Sequence, residues 1–378
     1  MLINIIVHLT KLKEENKMNW LMNAWYVAGF KDELDDNKVV ARKFLGTPVV
    51  MMRHSDGRIA ALEDKCAHRL MPLSAGRRIG DELQCGYHGM RFAISGECTL
   101  APGQTHIPKQ ACVQSFPLAE RHGLLWIWMG TAEANPELIP DIRWNDHPEW
   151  TPSRGYHYVE ADFRLSMDNL MDLGHESWVH LQTIGQGEEE CIPNYPLKVT
   201  VPSENLVRAH REMPNIEAPP FFAMVLNHHG RINRWQTAIG LAPSICMTDF
   251  GVYPVGTSAD NAYRSHVLHL LTPETESTTH YFWSIARNKR LDDDNLTQAI
   301  GKAVAHTFDE DGVVLAIQQK QLELYGGPVP RVAMKVDEAP TRARRQLEAL
   351  IKRENEDPNF VYRPTLMIED TTPELAMV

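Results

Sequence analysis

The segment CAHRLMPLSAGRRIGDELQCGYHG, residues 66–89, contains two pairs of metal-binding residue types. Cys66 and His68 form a C-x-H pair, sixteen residues follow, and Cys85 and His88 form a C-x2-H pair. Each pair lies between short alternating or β-branched runs that are separated by Gly, Pro, Asp and Ser. We therefore expect a small all-β unit in which two loops meet at one metal site.

The four residues offer two thiolates and two imidazoles, a ligand set that selects zinc or an iron–sulfur centre. A structural zinc site can use these residue types, but zinc fingers usually group two cysteines together and two histidines together. Mixed pairs are what a Rieske [2Fe–2S] cluster needs, because two Cys ligate one iron and two His ligate the other. The spacing therefore favours a Rieske cluster over zinc, with all four residues as cofactor ligands.

The composition excludes several classes of partner. The chain has 378 residues, with 38 Lys and Arg against 49 Asp and Glu, a formal net charge of −11. Such a charge repels nucleic-acid phosphates and anionic lipid headgroups, so we expect no nucleic-acid or membrane partner. Six scattered cysteines are too few for a disulfide framework in a chain of this length, which predicts a cytoplasmic protein.

The length predicts two or three compact units, and the sequence pattern divides the chain into two domains. Residues 1–17 lack the basic start and the cleavage site of a signal peptide, and we expect them to be an N-terminal extension. Residues 18–150 hold the all-β unit, and residues 151–378 a larger second domain. A connection rich in Pro and Trp, roughly residues 131–155, separates them, because its X-Pro steps cannot continue a helix or a central strand.

The pattern of the second domain predicts an α+β fold. Residues 161–181 have apolar positions at helical spacing, with an irregularity expected near Gly174. Strand-like runs recur from 196 to 287, and helical periodicity dominates 293–323 and 340–354. Strands flanked by helices at both ends predict an antiparallel sheet that the helices cover.

A second metal-binding pattern, D-x2-H-x4-H, is formed by Asp172, His175 and His180. Non-haem Fe(II) oxygenases bind iron with two histidines and one carboxylate on one face of the metal. On a regular helix the two histidines would diverge by about 140°. Their convergence therefore requires a distorted or ending helix, which Gly174 helps to permit.

The third ligand of such a site must come from elsewhere, and the acidic segment FDEDG, residues 308–312, is the candidate. Acids at a helix start also stabilise the helix dipole, so spacing does not choose among Asp309, Glu310 and Asp311. A Rieske electron carrier without oxygenase activity is the alternative from a different class of protein. The long second domain with its own histidine pair favours an oxygenase.

At these residues the sequence resembles the oxygenase component of Rieske non-haem iron ring hydroxylases and O-demethylases. It looks most similar to the group of vanillate O-demethylase, dicamba monooxygenase and toluenesulfonate methyl-monooxygenase. The resemblance extends over residues 20–350. It rests on NAWYVAG (23–29), CAHRLMPLSAG (66–76), LQCGYHGMRF (83–92), PGQ (102–104), ERHGLLWIWMG (120–130), DNLMDLGHESWVH (168–180), RWQ (234–236), LTPETE (271–276), YFWSIARN (281–288) and FDEDGVV (308–314).

The resemblance implies a Rieske [2Fe–2S] domain at 18–150 and a helix-grip-like, antiparallel-sheet catalytic domain with non-haem iron at 151–378. It implies that His175, His180 and Asp311 bind a mononuclear Fe(II). Asp311 is chosen because the family's ligand is the second acid of an E-D pair. The cluster ligands that it implies are those already inferred from the spacing: Cys66, His68, Cys85 and His88.

Two further catalytic residues follow from the resemblance. Asp172 matches the aspartate that joins a cluster histidine of one subunit to an iron-ligand histidine of the next, which implies a head-to-tail homotrimer. Asn169 matches a position near the iron, where it would orient the metal or a bound water; an ordinary amide on a helix surface is the alternative. His269 resembles a substrate-contacting histidine and is expected to be a hydrogen-bond or charge partner for a substrate carboxylate, against a structural role within the sheet.

The implied activity is that of a two-component monooxygenase. A separate NAD(P)H-dependent reductase, with flavin and a ferredoxin-type centre, would supply electrons, since this chain has no convincing Rossmann fingerprint and no plant-type ferredoxin motif. With O2 the enzyme would oxidise a methyl group of an aromatic acid, as in O-demethylation of a methoxybenzoate such as vanillate. Hydroxylation of an aryl methyl group and N-demethylation are the alternatives at the same metal sites.

Overall fold

The structure, a computed structural model, describes residues 19–35, 38–326 and 332–364. The expected extension at residues 1–17 and the end of the expected second domain lie outside the described residues. Within the described ranges no helix has both the length and the apolar character needed to cross a membrane.

The N-terminal part of the chain forms three small antiparallel sheets. Their orders are β1-β11-β10, β2-β3-β4-β9 and β5-β6-β7-β8. The strands are β1 (Trp25–Phe30), β2 (Val39–Phe44), β3 (Thr47–Arg53), β4 (Ile59–Glu63), β5 (Arg77–Ile79), β6 (Glu82–Gln84), β7 (Arg91–Phe92), β8 (Cys98–Leu100), β9 (Ser115–Phe116), β10 (Leu118–Arg121) and β11 (Leu124–Trp128). The all-β expectation for this unit is confirmed.

The two Cys–His loops lie at one end of this unit. The first follows β4 and the second connects β6 to β7. A small apolar core lies beneath them, in which both cysteines pack with Leu62, Leu83 and Phe92. The short strands thus place both cysteines on an apolar base while the loop tips face outward.

The Pro-rich connection is better packed than its composition suggests. Ile139, Ile142 and Trp144 are buried against Trp128 and against the second sheet. It is also shorter than expected, because residues 151–155 already belong to a strand of that sheet. Pro152 is tolerated there because the strand is at a sheet edge, where a missing N–H leaves no gap in the hydrogen-bond ladder.

The second part of the chain is built on one seven-stranded antiparallel sheet, of order β12-β18-β17-β16-β15-β14-β13. Residues of both orientations are buried along the long central strands, so the sheet has two buried faces. Its strands are β12 (Thr151–Val159), β13 (Lys198–Ser203), β14 (Leu206–Ile216), β15 (Ile232–Leu241), β16 (Ile245–Pro254), β17 (Tyr263–Pro273) and β18 (Thr279–Arg287).

Helices cover one face of this sheet. The longest, α4, begins where the Asp293 side chain accepts from the Leu296 N–H and ends at Gly326, which has a left-handed φ of 78°. Gly301 lets α4 approach β12 closely, because a Cβ there would lie 2.5 Å from the Ser153 hydroxyl oxygen. The helices are α1 (Phe163–Met171), α2 (Glu176–Val179), α3 (Pro220–Leu226), α4 (Asp294–Tyr325) and α5 (Glu338–Glu356).

The opposite face of the sheet packs on the N-terminal unit. Leu268 and Phe282 share a core with Trp25 and Trp126. Hydrogen bonds also cross this boundary, including one from the Thr272 hydroxyl to the Val27 carbonyl at 2.6 Å. The sheet is therefore a central layer with the all-β unit on one side and the helices on the other, which is the predicted α+β organisation.

Candidate metal centres and active-site cavity

The two Cys–His loops have matching backbones. In the first, the Cys66 N–H donates to Met71 and the Cys66 carbonyl accepts from Leu70; in the second, the Cys85 N–H donates to Met90 and its carbonyl accepts from Gly89. The fifth residue of each loop is left-handed, with φ of 59° at Leu70 and 74° at Gly89. The sequence therefore folds twice into one turn type, and each turn presents its histidine at the tip.

The loops approach closely enough to share one cofactor. A Cβ on Gly76 would lie 2.0 Å from the Gln84 carbonyl oxygen, so a larger residue would separate them. The His68 and His88 rings lie 4.7 Å apart between centroids. Burial raises the pKa of the Cys66 thiol. The main-chain N–H of His68 lowers this pKa, and the hydrogen bond between the Cys66 and Cys85 thiols raises it. Two adjoining buried thiols and two adjoining exposed imidazoles fit the asymmetric ligand demand of a Rieske cluster.

His175, His180 and Asp311 also converge. The Nε2 atoms of both histidines lie 3.3 Å from Asp311 Oδ1. One potential ligand atom from each of the three residues lies within 4.8 Å of the others. This donor set fits a mononuclear iron, since two imidazoles and a carboxylate meet from one side.

The electrostatics of these three groups indicate a cation site. Burial alone would raise the pKa of Asp311, but the hydrogen bonds and charges of His175 and His180 lower it well below its usual range. Burial alone would lower the pKa of His175, but the Asp311 carboxylate raises it to about 9. The carboxylate is thus stabilised by positive charge on its neighbours, as it would be by a metal ion.

The helix is broken just before the two histidines. Helix α1 ends at Met171, and residues Leu173–His175 form a separate 3₁₀ turn before the short helix α2. The Asp172 carboxylate starts this turn by accepting from the Gly174 N–H at 2.9 Å. The predicted irregularity near Gly174 is confirmed, and His175 and His180 lie at the two ends of the short helix α2.

Asp172 and Asn169 both lie at this centre. The Nδ1 atom of His175 contacts the main-chain oxygen of Asp172 and not its carboxylate. Asn169 donates from Nδ2 to Asp311 Oδ1 at 3.1 Å, so its amide is not an ordinary surface group. Within the described chain, one Asp172 carboxylate oxygen caps the turn.

The three consecutive acids of α4 have three different contacts. Asp309 is exposed and lies 3.2 Å from His157 Nε2. Glu310 Oε2 lies 2.9 Å from His180 Nδ1. Asp311 contacts the Nε2 atoms of both converging histidines. Asp311 is thus the one of these acids whose carboxylate lies beside both His175 and His180.

A buried ion pair, which sequence reasoning missed, supports the segment between the two histidines. Glu176 Oε2 accepts from Arg234 Nη2 at 2.7 Å, and Glu176 Oε1 accepts from Gln236 Nε2 at 3.2 Å. Arg234 Nη1 also donates to the Ile184 carbonyl at 3.1 Å. Burial lowers the pKa of Arg234, and the Glu176 carboxylate opposes this. The Arg234 guanidinium therefore binds both the first residue of α2 and the segment that follows this helix.

A cavity, about 630 Å³ when the solvent-filled space at its mouth is included, opens beside the three converging residues. Its walls are mostly apolar, which suits an aromatic ligand. The lining residues are Leu170, Leu173, His175, Glu176, His180, Ile184, Phe221, Phe222, Arg234, Thr248, Phe250, Val267, His269, Ile285, Val304, Thr307, Phe308 and Asp311. Helices α1, α3 and α4 and strands β15 to β18 all contribute to it.

His269 lines this cavity from the sheet. Its Nδ1 atom lies 2.5 Å from the Tyr281 hydroxyl, and its Nε2 atom lies 3.4 Å from the Thr248 hydroxyl. Burial lowers the pKa of His269 to about 3, so the ring is neutral at pH 7. A Tyr281 hydroxyl that donates to Nδ1 leaves an N–H on Nε2. This geometry favours a hydrogen-bond role for His269 over a role as a charge partner.

Comparison with known proteins identifies the family. A model described as the Rieske [2Fe-2S] domain matches residues 24–117, and one described as the vanillate O-demethylase oxygenase C-terminal domain matches residues 159–353. The chain belongs to this family of Rieske oxygenases. It is similar to a vanillate O-demethylase oxygenase subunit of Pseudomonas sp., with 36% identity over 88% of this chain and 96% of the relative.

Two further similarities agree with this family of Rieske oxygenases. An iron-sulfur subunit of the toluene-4-sulfonate monooxygenase system of Comamonas testosteroni is 36% identical over 89% of this chain and 98% of the relative. A crystal structure of dicamba monooxygenase bound to 3,6-dichlorosalicylic acid has a TM-score of 0.82 and 33% identity, covering 89% of this chain and 98% of that one. The relatives are components of multicomponent oxygenase systems.

For this Rieske oxygenase, the fold class, the oxidoreductase class and the two cofactor types inferred from the sequence are confirmed. The sequence patterns did not reveal the residues that support the metal-binding group: Glu310, which contacts His180, and the Glu176–Arg234 pair between the two histidines. Arg234 and Gln236 gave a usable signal, because residues two apart in a strand face the same side and a buried arginine needs a partner. For Glu310 no signal separated it from Asp309.

Proposed function

We propose that this Rieske oxygenase uses O2 to oxidise a methyl group of an aromatic acid, and that its reaction is O-demethylation of a methoxybenzoate such as vanillate. One observation carries the proposal: the His175, His180 and Asp311 group opens directly onto a mostly apolar cavity. The vanillate and dicamba O-demethylase relatives support the substrate class.

In this proposal Cys66, His68, Cys85 and His88 hold the Rieske cluster, and His175, His180 and Asp311 hold Fe(II). When bound, the cluster supplies electrons and the mononuclear iron supplies the site of O2 activation. The protein contributes binding, orientation and exclusion of water. Asn169 has a defined part in this, because its Nδ2–H donates to Asp311 Oδ1 and so fixes the orientation of that carboxylate beside the two histidines.

Substrate orientation is the task of the cavity walls. Phe221, Phe222 and Phe250 exclude water and provide faces for an aromatic ring. His269 Nε2–H and the Thr248 hydroxyl are polar groups on the sheet side, where they can bind an oxygen of the substrate. A ring held between these groups and the three metal-binding residues would present one substituent to the iron.

Electron delivery is proposed to require a homotrimer, in which Asp172 connects His175 to a cluster histidine of another copy. The second carboxylate oxygen of Asp172 is available for this, since Gly174 uses the first. Exposed apolar side chains support the assembly: Leu70 and Tyr87 beside the cluster loops, Trp178 on α2 next to the iron-binding histidines. Large apolar residues exposed at both centres are typical of surfaces that become covered.

The proposed partner is a separate NAD(P)H-dependent reductase with flavin and a ferredoxin-type centre. The names of the relatives as oxygenase components or system subunits support a second protein. Similarity to the toluene-4-sulfonate monooxygenase subunit favours a second reaction, hydroxylation of an aryl methyl group in the same cavity. The cytoplasmic location stays a prediction from the cysteine pattern.

The test combines metal analysis with a substrate panel. We expect about three irons and two acid-labile sulfides per chain, against two irons for a simple Rieske carrier. With a Rieske reductase, NADH and O2, a methoxybenzoate should yield a phenol and formaldehyde. Oxidation of methylbenzenesulfonates alone would favour the second reaction. Two irons per chain and no turnover of any methyl substrate would refute the proposal.

A further inference from the structure

Glu310 is the acid next to Asp311 on α4, and its carboxylate faces away from the metal-binding group. Its Oε2 atom lies 2.9 Å from His180 Nδ1 and 3.3 Å from the Thr183 hydroxyl oxygen. His180 is buried, whereas Glu310 remains partly accessible. The carboxylate therefore lies behind His180, on the side opposite Asp311.

The two nitrogens of His180 have different tasks. Nε2 lies 3.3 Å from Asp311 Oδ1 and must present its lone pair to a metal, so the ring proton belongs on Nδ1. An Nδ1–H beside a carboxylate oxygen at 2.9 Å donates a charge-assisted hydrogen bond to Glu310. This bond selects the tautomer that can bind metal and fixes the rotation of the ring.

The two histidines of the centre differ in this respect. His175 Nδ1 contacts a main-chain carbonyl, that of Asp172, whereas His180 Nδ1 contacts a full negative charge. A carboxylate behind an imidazole makes its other nitrogen a stronger donor to the metal than a neutral carbonyl does. His180 should therefore be the stronger of the two imidazole ligands.

We propose that Glu310 is a positioning residue that orients His180, fixes its tautomer and strengthens its bond to the mononuclear metal. The inference rests on the proposed function only in requiring a metal at His175, His180 and Asp311. Glu310 acts through His180 and does not itself bind the metal, because its Oε2 atom is engaged by His180 Nδ1 and Thr183.

Asp309 provides a matched control within the same turn of α4. It also contacts a histidine nitrogen, His157 Nε2 at 3.2 Å, but that histidine lies outside the metal-binding group. A general effect of removing negative charge from this turn would appear in both D309A and E310A. An effect transmitted through His180 would appear only in the Glu310 variants.

The test uses Co(II) as the probe, with protein whose Rieske cluster is intact and whose mononuclear metal has been removed by a chelator. Competition titrations give the Co(II) affinity of wild type, D309A, E310A and E310Q, and the visible bands of bound Co(II) report its ligand field. We expect E310A to bind Co(II) about 10- to 100-fold more weakly with shifted bands. E310Q keeps an acceptor without the charge and should lie between E310A and wild type, while D309A should match wild type.

The Rieske absorption spectrum of each variant shows whether the fold is retained. E310A binding within twofold of wild type, or D309A losing as much affinity as E310A, would overturn the inference while leaving the metal site standing. If E310A does not retain its cluster, the isosteric E310Q decides the question in the same way. Wild-type protein whose Co(II) binding is absent, or unaffected by D311A, would refute the proposed metal site and this inference together.

Discussion

The buried Glu176–Arg234 pair permits a quantitative prediction. The two side chains are 6% and 3% exposed, and their closest N–O distance is 2.7 Å. E176Q keeps the shape and one acceptor but leaves the guanidinium without a counter-charge in the core. Removing one partner of a buried ion pair typically costs about 3–5 kcal/mol, and we expect about 3 kcal/mol here because the glutamine can still accept from Arg234.

This loss can be expressed as a melting temperature. With an unfolding entropy of about 2.1 cal/mol/K per residue, the free energy of unfolding of a 378-residue chain changes by about 0.8 kcal/mol per degree near the midpoint. A loss of 3 kcal/mol then lowers the midpoint by about 4 °C. If the catalytic domain unfolds by itself, its smaller entropy makes the shift about 6 °C. Differential scanning calorimetry on protein with both metal centres filled measures this directly.

A double-mutant cycle separates the ion pair from other effects of the substitutions. The variant with E176M and R234M has no buried charge at this position, so it should be more stable than either single variant, with a coupling of about 2 kcal/mol or more. The control is E338Q, which breaks an exposed pair with Arg342 at a similar distance of 2.9 Å. It should change stability by less than about 0.5 kcal/mol. Additive single-variant losses, or E176Q melting like E338Q, would refute the reasoning.

Three further outcomes test the metal centres and the cavity. D172N can still accept from the Gly174 N–H, so it should retain both metal centres and lose about 10- to 100-fold in turnover; full activity would exclude a bridging role. H269A should raise KM for the substrate, and unchanged kinetics would remove it from the binding site. In metal-free protein the pKa of His175 is raised to about 9, so Co(II) must displace its proton. The apparent affinity for Co(II) should rise by up to about tenfold per pH unit from pH 7 to 9 and then level off. Protonated His175 also stabilises the metal-free fold; this stabilisation is complete below about pH 6.5 and should be lost as the pH rises to about 9. A flat pH profile of Co(II) binding would contradict this.

The ligand spacing could be predicted because it is local. Two loops of nearly equal length, each with a Cys and a His, need only a hairpin-rich unit to bring them together, and the break near Gly174 follows from the geometry of a regular helix. The third ligand was not predictable from spacing. On α4, successive residues point about 100° apart, so the three acids Asp309, Glu310 and Asp311 face different directions. Only the packing of that helix against β12 and α1 decides which acid faces the histidines.

Contacts between distant parts of the chain explain what the sequence patterns did not show. Glu176 and Arg234 are 58 residues apart, and nothing local to either residue identifies its partner. The connection between the domains was expected to be a boundary because of its prolines, yet Trp144 is buried in a core shared by both domains. Composition describes backbone restrictions, whereas burial depends on which surface the segment meets.

The position of Asp311 along α4 relates the active site to the proposed assembly. Up to this residue the helix is anchored in the core, by Ile300, Val304 and Phe308 among others. After it, Leu315 is still buried, but Val313, Val314 and Ile317 are exposed apolar residues. The metal-binding group therefore lies where one side of α4 becomes an exposed apolar surface, and that side of the helix depends on what covers it. On the proposed trimer, another copy would cover it and bring its cluster loops to Asp172, so that exclusion of water and delivery of electrons would depend on the same contact.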